Sequence, residues 1–265
     1  MFSYVIIQVE VGDILKALIT GASSGIGLDM AKYLATMKIE LILVARSKDK
    51  LEEIQKTLPT KVTIIVADLS NEQKVKELYT FIKKEKIDIL INNAGFGKHG
   101  YFTETSLLDE IDMINTNIKA VHILTKQLLK EMEERNFGYI LNVASSAAFQ
   151  PGPLMATYYA TKSYVYRLSE ALYYEEKKKK KNVHISVLCP GPVDTNFNDV
   201  AGVKFGVKSL KSEYVAKYAI DKMFKNKMLI IPGFTMKCAK FFERFIPEKA
   251  LLRMAYNIQK NKVND

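Results

Sequence analysis

Short, uninterrupted apolar runs alternate with longer segments of helical periodicity along most of this chain. The runs are Lys16 to Thr20, Leu41 to Ala45, Val62 to Ala67, Ile87 to Ile91, Tyr139 to Val143 and Val183 to Leu188, with Met228 to Ile231 as a seventh. Between them the pattern predicts helices from the glycines after Thr20 through Met37, then over Lys48 to Leu58, Asn71 to Lys84, Ser106 to Arg135, Thr157 to Glu176 and Lys211 to Lys225. Pro59 stops the second helix, and Asn71 is placed to cap the third. A strand wetted on one face alternates polar with apolar residues. These runs do not, so both faces must be covered. The expectation is an α/β fold with a parallel sheet of about seven strands and helices on both sides. Such sheets bind ligands beyond the carboxyl ends of their strands, and every polar motif below falls at such an end.

With 265 residues, 48% of them hydrophobic, one domain with a sizeable core is the simplest reading. There is no Pro, Gly or Ser-rich linker and no solenoid repeat. Residues 15–235 read as the domain with its substrate loops, 236–265 as a C-terminal helical segment packed on it, and 1–14 as an N-terminal extension. The working protein is expected to begin near Leu15. Phe2 to Val11 is too short to span a bilayer and lacks a basic start and a cleavage site. Cys189 and Cys238 suggest neither a disulfide framework nor a metal site, and the three histidines are scattered. A cytoplasmic location follows as the default. The net charge of +10 suits a polyanionic cofactor. Lys177 to Lys181 reads as a solvated turn, and no nucleic-acid partner is expected. From Met236 to Lys260, phenylalanines and leucines interleave with lysines and arginines, and Pro247 divides two helical pieces. A cap over the core or a lid over the substrate is preferred here to a membrane-surface helix.

Thr20 to Gly27 (TGASSGIG) joins the first strand to its helix. Glycines let the backbone approach a pyrophosphate closely, and the helix N-terminus offers free N–H groups. The spacing is Gly-x-x-x-Gly-x-Gly. The candidate contacts are Gly21, Ser23, Ser24, Gly25, Ile26 and Gly27. At the second strand's end stands Ala45-Arg46-Ser47, with no acid to hold ribose hydroxyls. A guanidinium at Arg46 would welcome a 2′-phosphate, and Ser47 could add a hydroxyl. NADP is therefore preferred to NAD. Asp68 and Leu69 end the third strand, facing where an adenine would lie. Asn92-Asn93-Ala94-Gly95 ends the fourth, where the two amides can cross-link backbones and the small residues leave room for a ribose or nicotinamide.

Tyr-x-x-x-Lys occurs six times, starting at Tyr79, Tyr158, Tyr173, Tyr174, Tyr218 and Tyr256. Only Tyr158 also has a serine, Ser145, at the end of an apolar run thirteen residues upstream, and Asn117 further back. Tyr158 and Lys162 share a helix face. A neighbouring ammonium and an oxidised nicotinamide would lower the phenol's pKa and make it a usable acid or base. Lys162 could also bind ribose hydroxyls, Ser145 could bond the reacting oxygen, and Asn117 could hold a water relaying protons from Lys162.

Six stretches in this order resemble the short-chain dehydrogenase/reductase family: Thr20-Gly21-x-x-x-Gly25-Ile26-Gly27, Asn92-Asn93-Ala94-Gly95, Asn115-Thr116-Asn117-Ile118-Lys119-Ala120, Asn142-Val143-Ala144-Ser145-Ser146, Tyr158-x-x-x-Lys162 and Pro190-Gly191-Pro192-Val193-x-Thr195. The resemblance implies a Rossmann-type doubly wound sheet, NAD(P)-dependent hydride transfer and a Ser145–Tyr158–Lys162 core assisted by Asn117. It also implies that Pro190, Gly191, Val193 and Thr195 border the nicotinamide, and that the chain forms homodimers or homotetramers. Ala120 and Ala148 stand where glycines are common, and Ala144 where serine is. The Ala45-Arg46-Ser47 turn is similar to NADP-preferring members. Ile231-Pro232-Gly233-Phe234 is similar to a broad branch related to ketoacyl- and steroid-type reductases.

The reading is carbonyl–alcohol interconversion on a small molecule. Phe96, Tyr101, Phe102, Phe149, Leu154, Met155, Phe197 and Phe205 in the surrounding loops point to an apolar or acyl substrate. The alternative is a catalytically silent NADP-binding sensor or scaffold, against which the complete Asn–Ser–Tyr–Lys set argues.

Overall fold

The computed structural model describes residues 14–195, 197, 201–202 and 209–260. Its strands are β1 (Lys16–Thr20), β2 (Glu40–Ala45), β3 (Val62–Val66), β4 (Ile89–Asn92), β5 (Gly138–Val143), β6 (Val183–Leu188) and three short ones, β7 (Val193–Asp194), β8 (Leu210–Lys211) and β9 (Leu229–Ile230). The helices are α1 (Gly25–Thr36), α2 (Lys48–Thr57), α3 (Glu72–Ile82), α4 (Leu107–Ile114), α5 (Val121–Arg135), α6 (Ala156–Lys179), α7 (Ser212–Met223), α8 (Phe234–Phe242) and α9 (Glu248–Lys260). Seven strands form one parallel sheet in the order β3-β2-β1-β4-β5-β6-β9. The expected doubly wound sheet is therefore present, and β7 pairs with β8 apart from it.

The uninterrupted apolar runs exist because the sheet separates two cores. In β1, Ala17 and Ile19 join Met30 and Leu34 of α1 and Val215 and Ala219 of α7 on one face. Leu18 between them joins Leu78 of α3 and Leu124 and Leu128 of α5 on the other. Strand order reverses between β1 and β4, so their carboxyl ends open a crevice at that point.

Polar side chains stitch the middle of the sheet. Asn92 Nδ2 donates to Thr125 Oγ1 at 2.9 Å and to Asn142 Oδ1 at 2.8 Å, and Asn142 Nδ2 donates to Ser169 Oγ at 3.0 Å. The Asn71 cap is present, its side chain accepting from the Lys74 N–H at 3.2 Å.

Three elements differ from the sequence expectation. The helix read as one piece from Ser106 to Arg135 contains a π-helical turn, Asn115–Ala120, between α4 and α5. The solvated turn expected at Lys177 to Lys181 begins later, because α6 runs on to Lys179 and ends where Lys180 adopts φ 56°. Lysine is a good helix former, and the helix C-terminus favours cations. Lys179 there pairs with Glu133 at 2.6 Å and with Glu176 at 2.9 Å. The seventh sheet strand is only two residues long.

The two C-terminal helices fall on either side of Pro247 as expected. The extension at residues 1–14 lies outside the described residues except for exposed Ile14. Among the described residues no helix is long and apolar enough to cross a membrane.

Candidate active site

The β1–α1 loop is built around two left-handed glycines, Gly21 at φ 64° and Gly25 at φ 54°. Any Cβ on Gly21 would come within 2.8 Å of the Ala94 Cα. The Asn93 amide holds that approach, donating to Thr20 O at 3.0 Å and Gly21 O at 3.1 Å. Thr20 Oγ1 in turn accepts from the Asn93 and Ala94 N–H groups at 3.0 and 3.1 Å. The loop thus exposes backbone and the uncapped start of α1 to a cleft. Ser24 makes no side-chain capping bond, and the first turn of α1 has no acid. These are the properties a pyrophosphate site requires.

The cleft has a volume of about 540 Å³. Gly21, Ser23, Ser24, Gly25 and Ile26 line one end with Arg46, Asp68 and Leu69. Asn93, Ala94 and Gly95 line its middle, and Ser145, Tyr158, Lys162, Pro190, Gly191, Val193 and Thr195 line the far end. Gly27, Ser47 and Asn117 are not among the lining residues. A Cβ on Gly27 would meet Asn93 Nδ2 at 2.4 Å, so its smallness serves the loop's packing. Ser47 is the residue before α2. Asp68 also makes a local turn, accepting from the Ser70 N–H at 3.0 Å. The residues present fit a nicotinamide dinucleotide: a glycine cradle, free N–H groups, a guanidinium at the β2 end and a polar far end.

The π turn explains Asn117. The wider turn carries its amide to the β4 end, where Nδ2 donates to Phe96 O at 2.9 Å and to Thr161 Oγ1 at 3.0 Å. Its Oδ1 accepts from the Phe96 N–H at 3.1 Å. Sequence periodicity cannot show such a turn, because what holds it is a loop 21 residues upstream.

Tyr158 and Lys162 are both buried, at 8% and 5% exposure. The Ala147 N–H donates to Ser145 Oγ at 3.1 Å, leaving the serine proton free, and Ser145 and Tyr158 line the same end of the cleft. Burial pushes the phenol's pKa well above its ordinary value, and the Ser145 hydroxyl opposes that rise. Lys162 is pushed down to about 8 by burial. Its ammonium donates to Val143 O at 3.0 Å and sits 5.9 Å from the Tyr158 ring centre. The lowered phenol pKa anticipated from the pair is therefore not a property of the protein alone. The five other Tyr-x-x-x-Lys pairs lie outside the cleft lining.

Of the loop residues expected around a substrate, Phe96, Met155 and Phe197 line the cleft. The Phe197 ring lies 5.3 Å from that of Tyr158. Tyr101 and Phe102 are exposed, Phe149 packs on Tyr166, and Leu154 is buried. Phe205 lies outside the described residues. Among the wall residues that sequence reading missed are Tyr159, Met236 and Ile258. Two belong to α8 and α9, so the C-terminal segment forms part of the cleft wall. Gln259 Nε2 donates to the Tyr159 hydroxyl, His99 Nε2 bonds Gln259 O at 3.1 Å, and the Tyr101 and Tyr256 hydroxyls meet at 2.9 Å.

Comparison with known proteins gives a consistent result. The short chain dehydrogenase family model matches residues 15–203. The 17-beta-hydroxysteroid dehydrogenase type 3 of Mus musculus is 37% identical over 188 residues, 68% of this chain and 60% of that protein. The very-long-chain 3-oxoacyl-CoA reductase of Homo sapiens is 34% identical over 182 residues, 66% of this chain and 58% of its own. The matches thus span about six-tenths of these two relatives. A short chain dehydrogenase/reductase from Burkholderia phymatum, solved in complex with NAD, superposes with a TM-score of 0.80 at 25% identity, covering 88% of this chain and 94% of that one.

Proposed function

The chain belongs to the short-chain dehydrogenase/reductase family, and from that membership we propose that it is an NADPH-dependent reductase of an apolar or acyl carbonyl compound. As a member of that family it is an oxidoreductase that interconverts carbonyl and alcohol with a nicotinamide cofactor. The substrate class, the NADP preference and the residue roles are our reading. The observation that carries it is the placement of Ser145, Tyr158 and Lys162 in the same cleft as the glycine loop and Arg46.

When bound, the dinucleotide supplies the hydride. Gly21 to Ile26 would hold its phosphates, Arg46 the 2′-phosphate, and Lys162 the ribose hydroxyls beside the ring. Asn117 holds the Phe96 backbone, and with it the wall beside the reacting end. The Ser145 hydroxyl steadies the carbonyl oxygen. Tyr158 Oη gives that oxygen its proton as the carbonyl carbon gains hydride. Because burial raises the phenol's pKa, Tyr158 is protonated at neutral pH, which is the form reduction requires. Alcohol oxidation needs the opposite form and should speed up as pH rises.

The wall formed by Phe96, Met155, Phe197, Met236 and Ile258 supports an apolar substrate. Steroid and oxoacyl substrates, borne in the names of the two relatives, suit such a wall. The neighbour solved with NAD carries no argument against NADP, since the choice rests on the strand end, here Ala45-Arg46-Ser47. Exposed Leu107, Leu108 and Ile111 on α4 support a homodimer or homotetramer. Two free thiols support a reducing, cytoplasmic setting.

A panel of steroid, long-chain acyl and small ketones, followed by NADPH absorbance, tests the reading. Turnover is expected on the apolar members. Tyr158→Phe should keep NADPH affinity and lose turnover by roughly 10²–10⁴-fold, the usual worth of a positioned acid. Unchanged turnover in that variant would remove Tyr158 from the chemistry.

A further inference from the structure

We propose that α8, α9 and the turn between them form a docking surface for an anionic lipid bilayer, holding the mouth of the cleft against the membrane. This goes beyond the carbonyl reading and stands apart from it.

The first observation is an inverted helix. No residue of α8 is buried. Phe234 is 82% exposed and Phe245, just beyond the helix, is 67% exposed. Phe241 and Phe242 are exposed as well, and their rings form a cluster with centres 5.2 Å apart, Phe245 following at 5.8 Å from Phe241. Single exposed apolar residues need no explanation, but Phe241, Phe242 and Phe245 in ring contact form a patch, with Phe234 a further exposed ring on the same segment.

Charge selects the occupant. Residues 234–260 hold six Lys or Arg against Glu243 and Glu248, an excess of four positive charges. Arg244 lies 4.9 Å over the Phe241 ring. Below α8, Lys222, Lys227 and Lys237 surround a hollow of about 300 Å³ beside Tyr218. A second copy of this chain would bring like charge against like. Aromatic rings among cations instead suit a bilayer interface with anionic headgroups.

Placement gives the surface a use. Met236 of α8 and Ile258 of α9 line the cleft, and exposed Phe102 follows Tyr101, which bonds Tyr256 of α9. An apolar molecule leaving the bilayer would enter past these residues without crossing water. Because no described helix can span the membrane, attachment through this surface is peripheral.

Co-sedimentation with vesicles tests the proposal, comparing pure phosphatidylcholine with the same lipid holding about 30% phosphatidylserine, a strongly anionic surface. The intact chain should bind the anionic vesicles, bind neutral ones far less, and release in high salt. Phe241→Ser with Phe245→Ser should weaken binding at least about tenfold. Arg244→Glu with Lys249→Glu should weaken it by about fivefold or more for each residue reversed. Both variants should keep their circular dichroism. If the phenylalanine pair fails to fold, the charge pair, confined to exposed positions, carries the same test. Absence of vesicle binding, equal binding to both lipids, or self-association abolished by the same substitutions would overturn the proposal. The readout needs no turnover, so it stands or falls apart from the carbonyl reading.

Discussion

The floor of the cleft and the C-terminal helix pair invert the usual arrangement in opposite senses. At the floor, polar groups are inside: Asn117, Tyr158 and Lys162 are all buried. At α8, apolar groups are outside: its phenylalanines face solvent and nothing on it is buried. Neither arrangement is what stability alone would select. A buried ammonium and an exposed phenylalanine are both costly in the isolated chain, and on the readings proposed above each would become favourable once something is added: a dinucleotide in the first region, a lipid surface in the second.

Lys162 offers the sharpest way to break this comparison. Its pKa in the fold is about 8, against 10.5 ordinarily, so the folded state disfavours the charged form. The unfolded chain therefore binds the proton more tightly. Below pH 8 the buried charge costs about 3 kcal/mol, and stability recovers as pH rises from about 8 to 10.5. Lys162→Met removes that cost and the bond to Val143 O, worth about 1 kcal/mol. The expected variant is inactive, with turnover down by roughly 10²-fold or more. It should also melt several degrees higher than the intact protein at pH 7, the difference shrinking towards pH 10.5. Calorimetry across that range checks the sign. A lower melting temperature at pH 7 would mean that the ammonium is not strained in the fold.

Arg46 is expected to have a smaller effect, because it is exposed where it lines the cleft and would meet only one phosphate of the proposed NADPH. A charge-assisted bond to phosphate is worth roughly 1.5–3 kcal/mol, so NADPH should bind about tenfold or more tightly than NADH. Arg46→Ala should erase most of that gap and leave NADH affinity nearly unchanged. Binding titration without substrate measures it. Equal affinities in the intact protein would remove Arg46 from cofactor selection.

The half of the cleft lined by the glycine loop was legible in sequence because its geometry is local. Gly21 and Gly25 turn the chain within one loop, and Arg46 and Asp68 simply end their strands. Tyr158 and Lys162 were legible for the same reason, being one helical turn apart. The π turn at Asn115–Ala120 was not, since it rests on Asn117 reaching Phe96. The environment of Tyr158 was not legible either. Its pKa depends on burial by the assembled cleft, which raises it in the protein alone, whereas the anticipated fall included an oxidised nicotinamide beside the phenol. A cap or lid was legible for the C-terminal segment, but the partners of α9 were not, because Gln259 meets Tyr159 and His99, distant in the chain.

Gln259 carries the smallest expected effect and tests where the two regions meet. It is 1% exposed, and its Nε2 donates to the Tyr159 hydroxyl while Oε1 is buried with no partner. An amide half-satisfied in this way contributes little net stability: the bond it makes, about 1 kcal/mol, is offset by the orphaned carbonyl. Gln259→Leu should therefore shift the melting temperature by no more than about 2 °C. Its effect should fall on the substrate. Tyr159 and Ile258 line the cleft from α6 and α9, and the amide is the side-chain bond between those two helices at that point. Losing it loosens the wall at the substrate end and leaves the glycine loop untouched. KM for a bulky apolar ketone should change a few-fold, with NADPH affinity unaltered. An equal change in NADPH affinity would mean that α9 braces the dinucleotide end instead, joining the C-terminal segment to the buried floor and not to the exposed surface.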